Sequence, residues 1–112
     1  MKRKNFHKQI IELLDRPDTF GLTARKIALE VIINEDQEIN LISIRSCLYR
    51  LRKQNKIIVI GFENKEQVYI SVKCVKDMIE RNAFKEVKLN DQNIIINTLL
   101  DLIELNKSWS LI

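Results

Sequence analysis

The chain has 112 residues, 46% apolar and 30% charged, with a single proline and two glycines. That size suits one compact unit, and so little Pro and Gly excludes a collagen-like segment or a long flexible linker. The net charge is +4, and no apolar run approaches the roughly 18–20 residues that cross a bilayer.

The first periodic stretch is Asn5–Asp15, where Phe6, Ile10, Leu13 and Leu14 recur at helical spacing, with Pro17 as its stop and Asp18-Thr19-Phe20-Gly21 as a short loop. A second helix begins at Thr23, whose hydroxyl suits an N-cap, and presents Ile27, Ala28, Val31 and Ile32 as its apolar face. The polar run Asn34-Glu35-Asp36-Gln37-Glu38 reads as a loop. A third helix over about 41–54 has Asn40 as N-cap and Ile44, Cys47, Leu48 and Leu51 as its core face, ending near Asn55, a residue that tolerates the left-handed conformation.

Two β-rich runs, Ile57–Phe62 and Gln67–Val72, flank the polar turn Glu63-Asn64-Lys65-Glu66 and predict an antiparallel hairpin. Val75–Asn82 has the spacing of a short helix, and residues 83–90 are irregular. Asp91–Asn106 is a strong final helix, capped by Asn90 or Asp91, and Lys107–Ile112 is a short, partly apolar tail. The expected fold class is mainly α with a small antiparallel β-hairpin, followed by C-terminal helices. The expected division is a domain over 1–74 and a helical extension over 75–112.

Charge is distributed unevenly. Residues 1–39 sum to zero and residues 57–112 to −1, whereas residues 40–56 carry Arg45, Arg50, Arg52, Lys53 and Lys56 with no acid, a local charge of +5. A focused basic patch is the electrostatic footprint of a phosphate-binding surface, although many charged runs are only solvated helix faces.

Enzymatic chemistry is not expected. His7 is the one histidine, there is no Gly-rich phosphate loop, and no nucleophile–base pair stands out. Cys47 and Cys74 supply too few ligands for a zinc site, so no metal or cofactor is predicted. They read as two buried free thiols, with a Cys47–Cys74 disulfide as the alternative. The basic start, Lys2-Arg3-Lys4, is not followed by a secretory apolar core, which points to a cytoplasmic protein with no membrane partner.

Three stretches resemble the winged-helix (winged helix-turn-helix) family. Leu22-Thr23-Ala24-Arg25-Lys26-Ile27-Ala28 resembles the opening of its second helix. Ile44–Ile57 resembles the recognition helix and its exit, with Asn55 where many members have glycine. Ile57–Val72 resembles the two-stranded wing. The resemblance spans about residues 5–72 and implies sequence-specific binding of double-stranded DNA by a transcriptional regulator. It departs from the simplest helix-turn-helix in a longer connection between the second and third helices, which also carries Glu35, Asp36 and Glu38.

On that basis the third helix enters the major groove. Arg50 is placed to contact a guanine, while Ser43, Ser46 and Tyr49 reach base edges or phosphates. Arg45, Arg52, Lys53 and Lys56 suit the DNA backbone. Thr23, Arg25 and Lys26 open the second helix as a phosphate contact. Lys65, with Asn64, is the wing-tip contact, although Glu63 and Glu66 flank the pair. Lys2-Arg3-Lys4 is either a minor-groove arm or a solubilising start.

On a helical wheel, Ile95, Leu102, Leu99, Ile103, Ile96 and Leu100 of the final helix fill roughly 160°, and Ile94 and Leu105 add a second apolar spot, wider than one docking face needs. A homodimer through 91–106, reading two half-sites, is therefore expected. The alternatives are a winged-helix protein-interaction module within a larger complex, or a plasmid or phage replication or partition factor.

Overall fold

The computed structural model describes residues 6–16 and 21–112. The predicted start of the first helix at Asn5, the basic arm Lys2-Arg3-Lys4, the stop at Pro17 and the loop residues Asp18–Phe20 lie outside the described residues. The elements are α1 (Phe6–Leu14), β1 (Leu22–Thr23), α2 (Ala24–Glu30), α3 (Gln37–Lys53), β2 (Ile57–Glu63), β3 (Glu66–Ser71), α4 (Val72–Glu80) and α5 (Leu89–Ser110). The described chain is thus α-rich, with five helices and a small three-stranded antiparallel sheet of order β1-β3-β2.

The hairpin forms as its β-branched strands and polar turn predict. Its two-residue turn places Asn64 at φ 51° and Lys65 at φ 66°, the left-handed pair that matches the twist of the flanking strands. Glu63 faces Glu66 across the ladder, and an irregularity between Val59 and Gly61 shifts the register by one residue. β1 is an addition to the sequence reading. Two residues cannot show alternation, and they become a strand only because Leu22 pairs with Tyr69 and Thr23 with Val68. Gly21 permits this entry. It sits at φ 85°, and a Cβ there would lie 2.6 Å from Val68 Cγ1.

Period-two alternation in β2 divides the interior. Ile57 faces α1–α3, joining Ile10, Leu14, Ile27, Ile44, Leu48 and Leu51 in one core. Ile58, the next residue, faces the other way and joins Ile70, Val75, Met78, Leu99 and Ile103 in a second core under α4 and α5. The sheet therefore lies between a three-helix layer and a two-helix layer. Burying each of these large aliphatic side chains contributes about 1.5–3 kcal/mol. Both cysteines are free, Cys74 buried and Cys47 half-buried. Burial pushes both thiols above their ordinary ionisation range.

Four boundaries differ from expectation. α3 begins at Gln37, three residues before the predicted Asn40 cap, and its N-cap is Asp36, whose carboxylate accepts from the backbone N–H of Glu38 and Ile39. α2 ends at Glu30, so Ile32 leaves the predicted apolar face and is exposed. α4 begins at Val72, because the Ser71 hydroxyl accepts from Cys74 N at 2.9 Å and ends the strand there. α5 starts at Leu89 after Lys88, with no side-chain cap at Asn90 or Asp91, and continues through the predicted tail to Ser110.

Candidate nucleic-acid interface

α3 buries Asn40, Ile44, Leu48 and Leu51. At 100° per residue, Ser46, Tyr49 and Lys53 then lie on its outer side. Ser43 and Arg50 fall on one flank, and Arg45 and Arg52 on the other, toward the hairpin. A groove of about 350 Å³ runs between that second flank and the turn, lined by Ala24, Arg45, Tyr49, Arg52, Lys65, Glu66, Gln67 and Tyr69. Arg25 and Lys26 reach the same turn from α2. The fold thus gathers four of the predicted contacts along one groove, Arg45, Tyr49, Arg52 and Lys65, and brings Arg25 and Lys26 to the turn beside it.

The acids of the turn do more than flank Lys65. One oxygen of Glu66 accepts from both Arg25 Nε and Arg45 Nη2, each at 3.0 Å. The Glu63 carboxylate accepts from Lys26 Nζ at 2.9 and 3.0 Å. Three of the predicted phosphate contacts are therefore paired within the chain. Tyr69 stands in the groove, its hydroxyl donating to Gln67 Oε1 at 2.8 Å. Burial raises its phenol above the ordinary range, opposed by the charges of Arg52 and Arg45 and reinforced by Glu66.

The C-terminal end of α3 is covered by the last turns of α5. The Arg52 guanidinium lies 4.0 Å from the centre of the Trp109 ring and donates through Nε to Asn106 Oδ1 at 3.0 Å. Asn106, itself buried, donates to Arg52 O and Asn55 Oδ1. Lys53 Nζ lies 4.6 Å from the Trp109 ring and donates to the Ile112 carbonyl at 3.0 Å. Tyr49 meets the same indole edge-on, with ring centres 5.7 Å apart. Arg52 and Lys53 are thus half-buried fasteners between helices and not free backbone contacts.

Two further predicted contacts lie elsewhere in role or place. Thr23 is 3% exposed, and its hydroxyl accepts from Lys26 N, so it caps its own helix and reaches no ligand. Lys56 lines a separate depression with Ile11, Asp15, Val72, Lys73 and Lys76, away from the groove. Ser43 is half-buried, while Ser46, Arg50 and Lys65 are exposed. Among the described residues, neither Arg50 nor Lys65 forms an ion pair.

The reading of the third helix as free of acid is also corrected. Its true first turn contains Glu38, after Asp36 at the cap, where negative charge complements the helix dipole. The basic character belongs to its C-terminal two-thirds. Sequence reasoning assigned no role to Trp109 or Asn106. The signal available was the single tryptophan of the chain, placed where a tail was expected.

Among the described residues, no cluster of three or more His, Cys, Asp or Glu could hold a metal ion, and no helix is long and apolar enough to cross a membrane. No family model, curated protein or solved structure matches the chain.

Proposed function

We propose that this chain is a winged-helix protein that binds double-stranded DNA as a transcriptional regulator, with α3 as the recognition helix and the β2–β3 hairpin as the wing. The sheet order β1-β3-β2, with α2 and α3 inserted between β1 and β2, supports the fold reading. One observation carries the functional reading: Arg45, Arg52 and Lys65 border a single groove beside the exposed face of α3, and Arg25 and Lys26 of α2 meet the turn at its rim through Glu66 and Glu63. Such a face attracts a polyanion over several ångströms, and a helix of this diameter fits the major groove.

Ser46, Tyr49 and Arg50 are the base-reading side chains, and Arg25, Lys26, Arg45 and Lys65 hold the backbone. Arg50 is exposed and has no ion pair among the described residues, so it can present two parallel donors to a guanine. The active species is a homodimer built on α5, cytoplasmic and without cofactor.

The test is fluorescence anisotropy against a labelled random-sequence duplex pool, with sequencing of the bound fraction. Affinity should fall with salt, with a log–log slope of about −1 if only Lys65 meets a phosphate, and about −4 if Arg25, Lys26 and Arg45 join it. The Arg50→Ala variant should bind more weakly and lose preference at one base position, by about 1–3 kcal/mol.

A second reading, a protein-interaction module, is favoured by the surface where α2 passes into α3. Between Lys26 and Arg45 there is no basic residue, and Leu29, Ile32, Ile39 and Ile42 are exposed beside Glu35, Asp36 and Glu38. No DNA binding by folded protein at low salt would transfer the function to that surface.

A further inference from the structure

We infer that Arg25 and Arg45 form a seat for a DNA phosphate, and that the wing turn holds this seat shut with Glu66 until DNA displaces it. This inference rests on the DNA-binding reading.

The two arginines come from different helices, α2 and α3, yet both donate at 3.0 Å to the same oxygen of Glu66. The Glu66 side chain is only 18% exposed, whereas those of Arg25 and Arg45 are 67% and 50% exposed. Two guanidinium groups around one carboxylate oxygen leave a net positive site. A phosphodiester oxygen carries the same charge and accepts the same donors. Glu63 repeats the arrangement on a smaller scale, holding Lys26 with both of its oxygens.

The acids are held where they are by the hairpin itself. Glu63 and Glu66 face each other across a two-residue turn, so both project from the wing tip next to α2 and α3. The arginine side of each pair is at least half exposed and screened by water, so exchanging the more covered Glu66 carboxylate for a phosphate on the same donors is close to balanced. Balance has a consequence for specificity. Phosphate contacts that replace internal ion pairs contribute little affinity to any DNA, and binding then depends on what Ser46, Tyr49 and Arg50 find at the base edges. Once the carboxylates are neutralised, binding strengthens on every sequence.

The experiment compares wild-type protein with Glu66→Gln, Glu63→Gln and Glu86→Gln. The last removes the same charge from an exposed position between α4 and α5. Each is titrated against the labelled random-sequence duplex pool between about 50 and 200 mM salt, with a melting curve on the same sample. Glu66→Gln is expected to bind about ten-fold tighter at the low end, and its salt slope to steepen by about 1. Glu63→Gln is expected to steepen the slope by about 1, and Glu86→Gln to leave it unchanged.

Binding by Glu66→Gln where the wild type shows none supports the inference equally. Glu66→Gln matching Glu86→Gln, or binding more weakly than wild type, overturns it and makes Glu66 a strut that positions the arginines. If Glu66→Gln melts out, Glu63→Gln decides alone on the slope. If none of the four proteins binds, the DNA reading itself fails and the inference falls with it.

Discussion

The Asn40 carboxamide accepts from the backbone N–H of Ile33 and Asn34 at 2.6 and 3.1 Å, and donates to the carbonyls of Ala28 and Val31 at 3.3 and 3.2 Å. One side chain thus satisfies four backbone groups where α2 ends and the connection turns back toward α3. An asparagine before an apolar helical stretch reads as an N-cap, because its side chain competes well for orphan N–H groups. Asp36 takes that role here, and the first turn it caps is polar because it faces solvent, which hid the true start of α3 from periodicity. Asn40 is then 3% exposed inside the helix, where its polarity is tolerated only because every hydrogen bond is met. Asn40→Ala should lower stability by about 2–4 kcal/mol in urea unfolding, because it strands buried backbone groups in addition to losing its own bonds. Asn40→Asp keeps the acceptor and loses both donors, setting a carboxylate against two carbonyls, and should also destabilise. An unchanged unfolding midpoint in both variants would remove Asn40 as the tie between the helices.

At the scale of elements, α1, the body of α2 and the hairpin were legible because each carries its own signal: helical spacing of Ile10, Leu13 and Leu14, or β-branched runs around Asn64-Lys65. β1 and the end of α5 were not, because their reasons for existing lie in other elements. Leu22–Thr23 needs β3, and the last turns of α5 need α3. Along α5 the apolar docking positions Leu99 and Ile103 are followed by Asn106, a polar residue that breaks the pattern in sequence yet is 4% exposed in the fold. It continues the docking face by bonding to Arg52 and Asn55, and Trp109 follows one turn later against Arg52, Lys53 and Tyr49. Trp109→Ala should therefore cost about 2 kcal/mol, combining lost packing of a half-buried ring with a cation–π contact. For a domain of this length that corresponds to a melting temperature lower by roughly 8 °C. Trp109 is the only tryptophan, so its emission reports this junction directly. In wild-type protein, the red shift of that emission on unfolding should coincide with loss of helical signal. An earlier red shift would mean that the end of α5 undocks independently.

At the scale of the whole molecule, the described fold is elongated, with extents of 50 × 32 × 30 Å, and α5 spans about 33 Å at 1.5 Å per residue. One side of α5 is committed to the second core through Leu99 and Ile103. Its other sides leave Ile94, Leu100 and Leu105 at 63%, 43% and 65% exposure. Ile94 and Leu105 are eleven residues apart, about three turns, and so lie on one line, while Leu100 stands on the flank. The wide apolar arc of the sequence is therefore mostly docking face, with Ile95 and Leu102 packed beside Leu99 and Ile103 and only Leu100 at its edge exposed, whereas Ile94 and Leu105 form a separate unpartnered line. A second α5 laid along the Ile94–Leu105 line would cover it with matching side chains and, on the DNA-binding reading, present two recognition helices to successive half-sites. Light scattering on the eluting protein should then give twice the 13.3 kDa chain mass. The Ile94→Glu, Leu105→Glu variant should halve that mass without changing the melting curve at low concentration, since neither residue belongs to the buried cores. Its DNA binding should weaken and become less cooperative, because one half-site contact per complex is lost. A wild-type mass of one chain at working concentration would instead make the exposed side of α5 a solvent-facing surface, and the DNA-binding reading would then be of a single half-site.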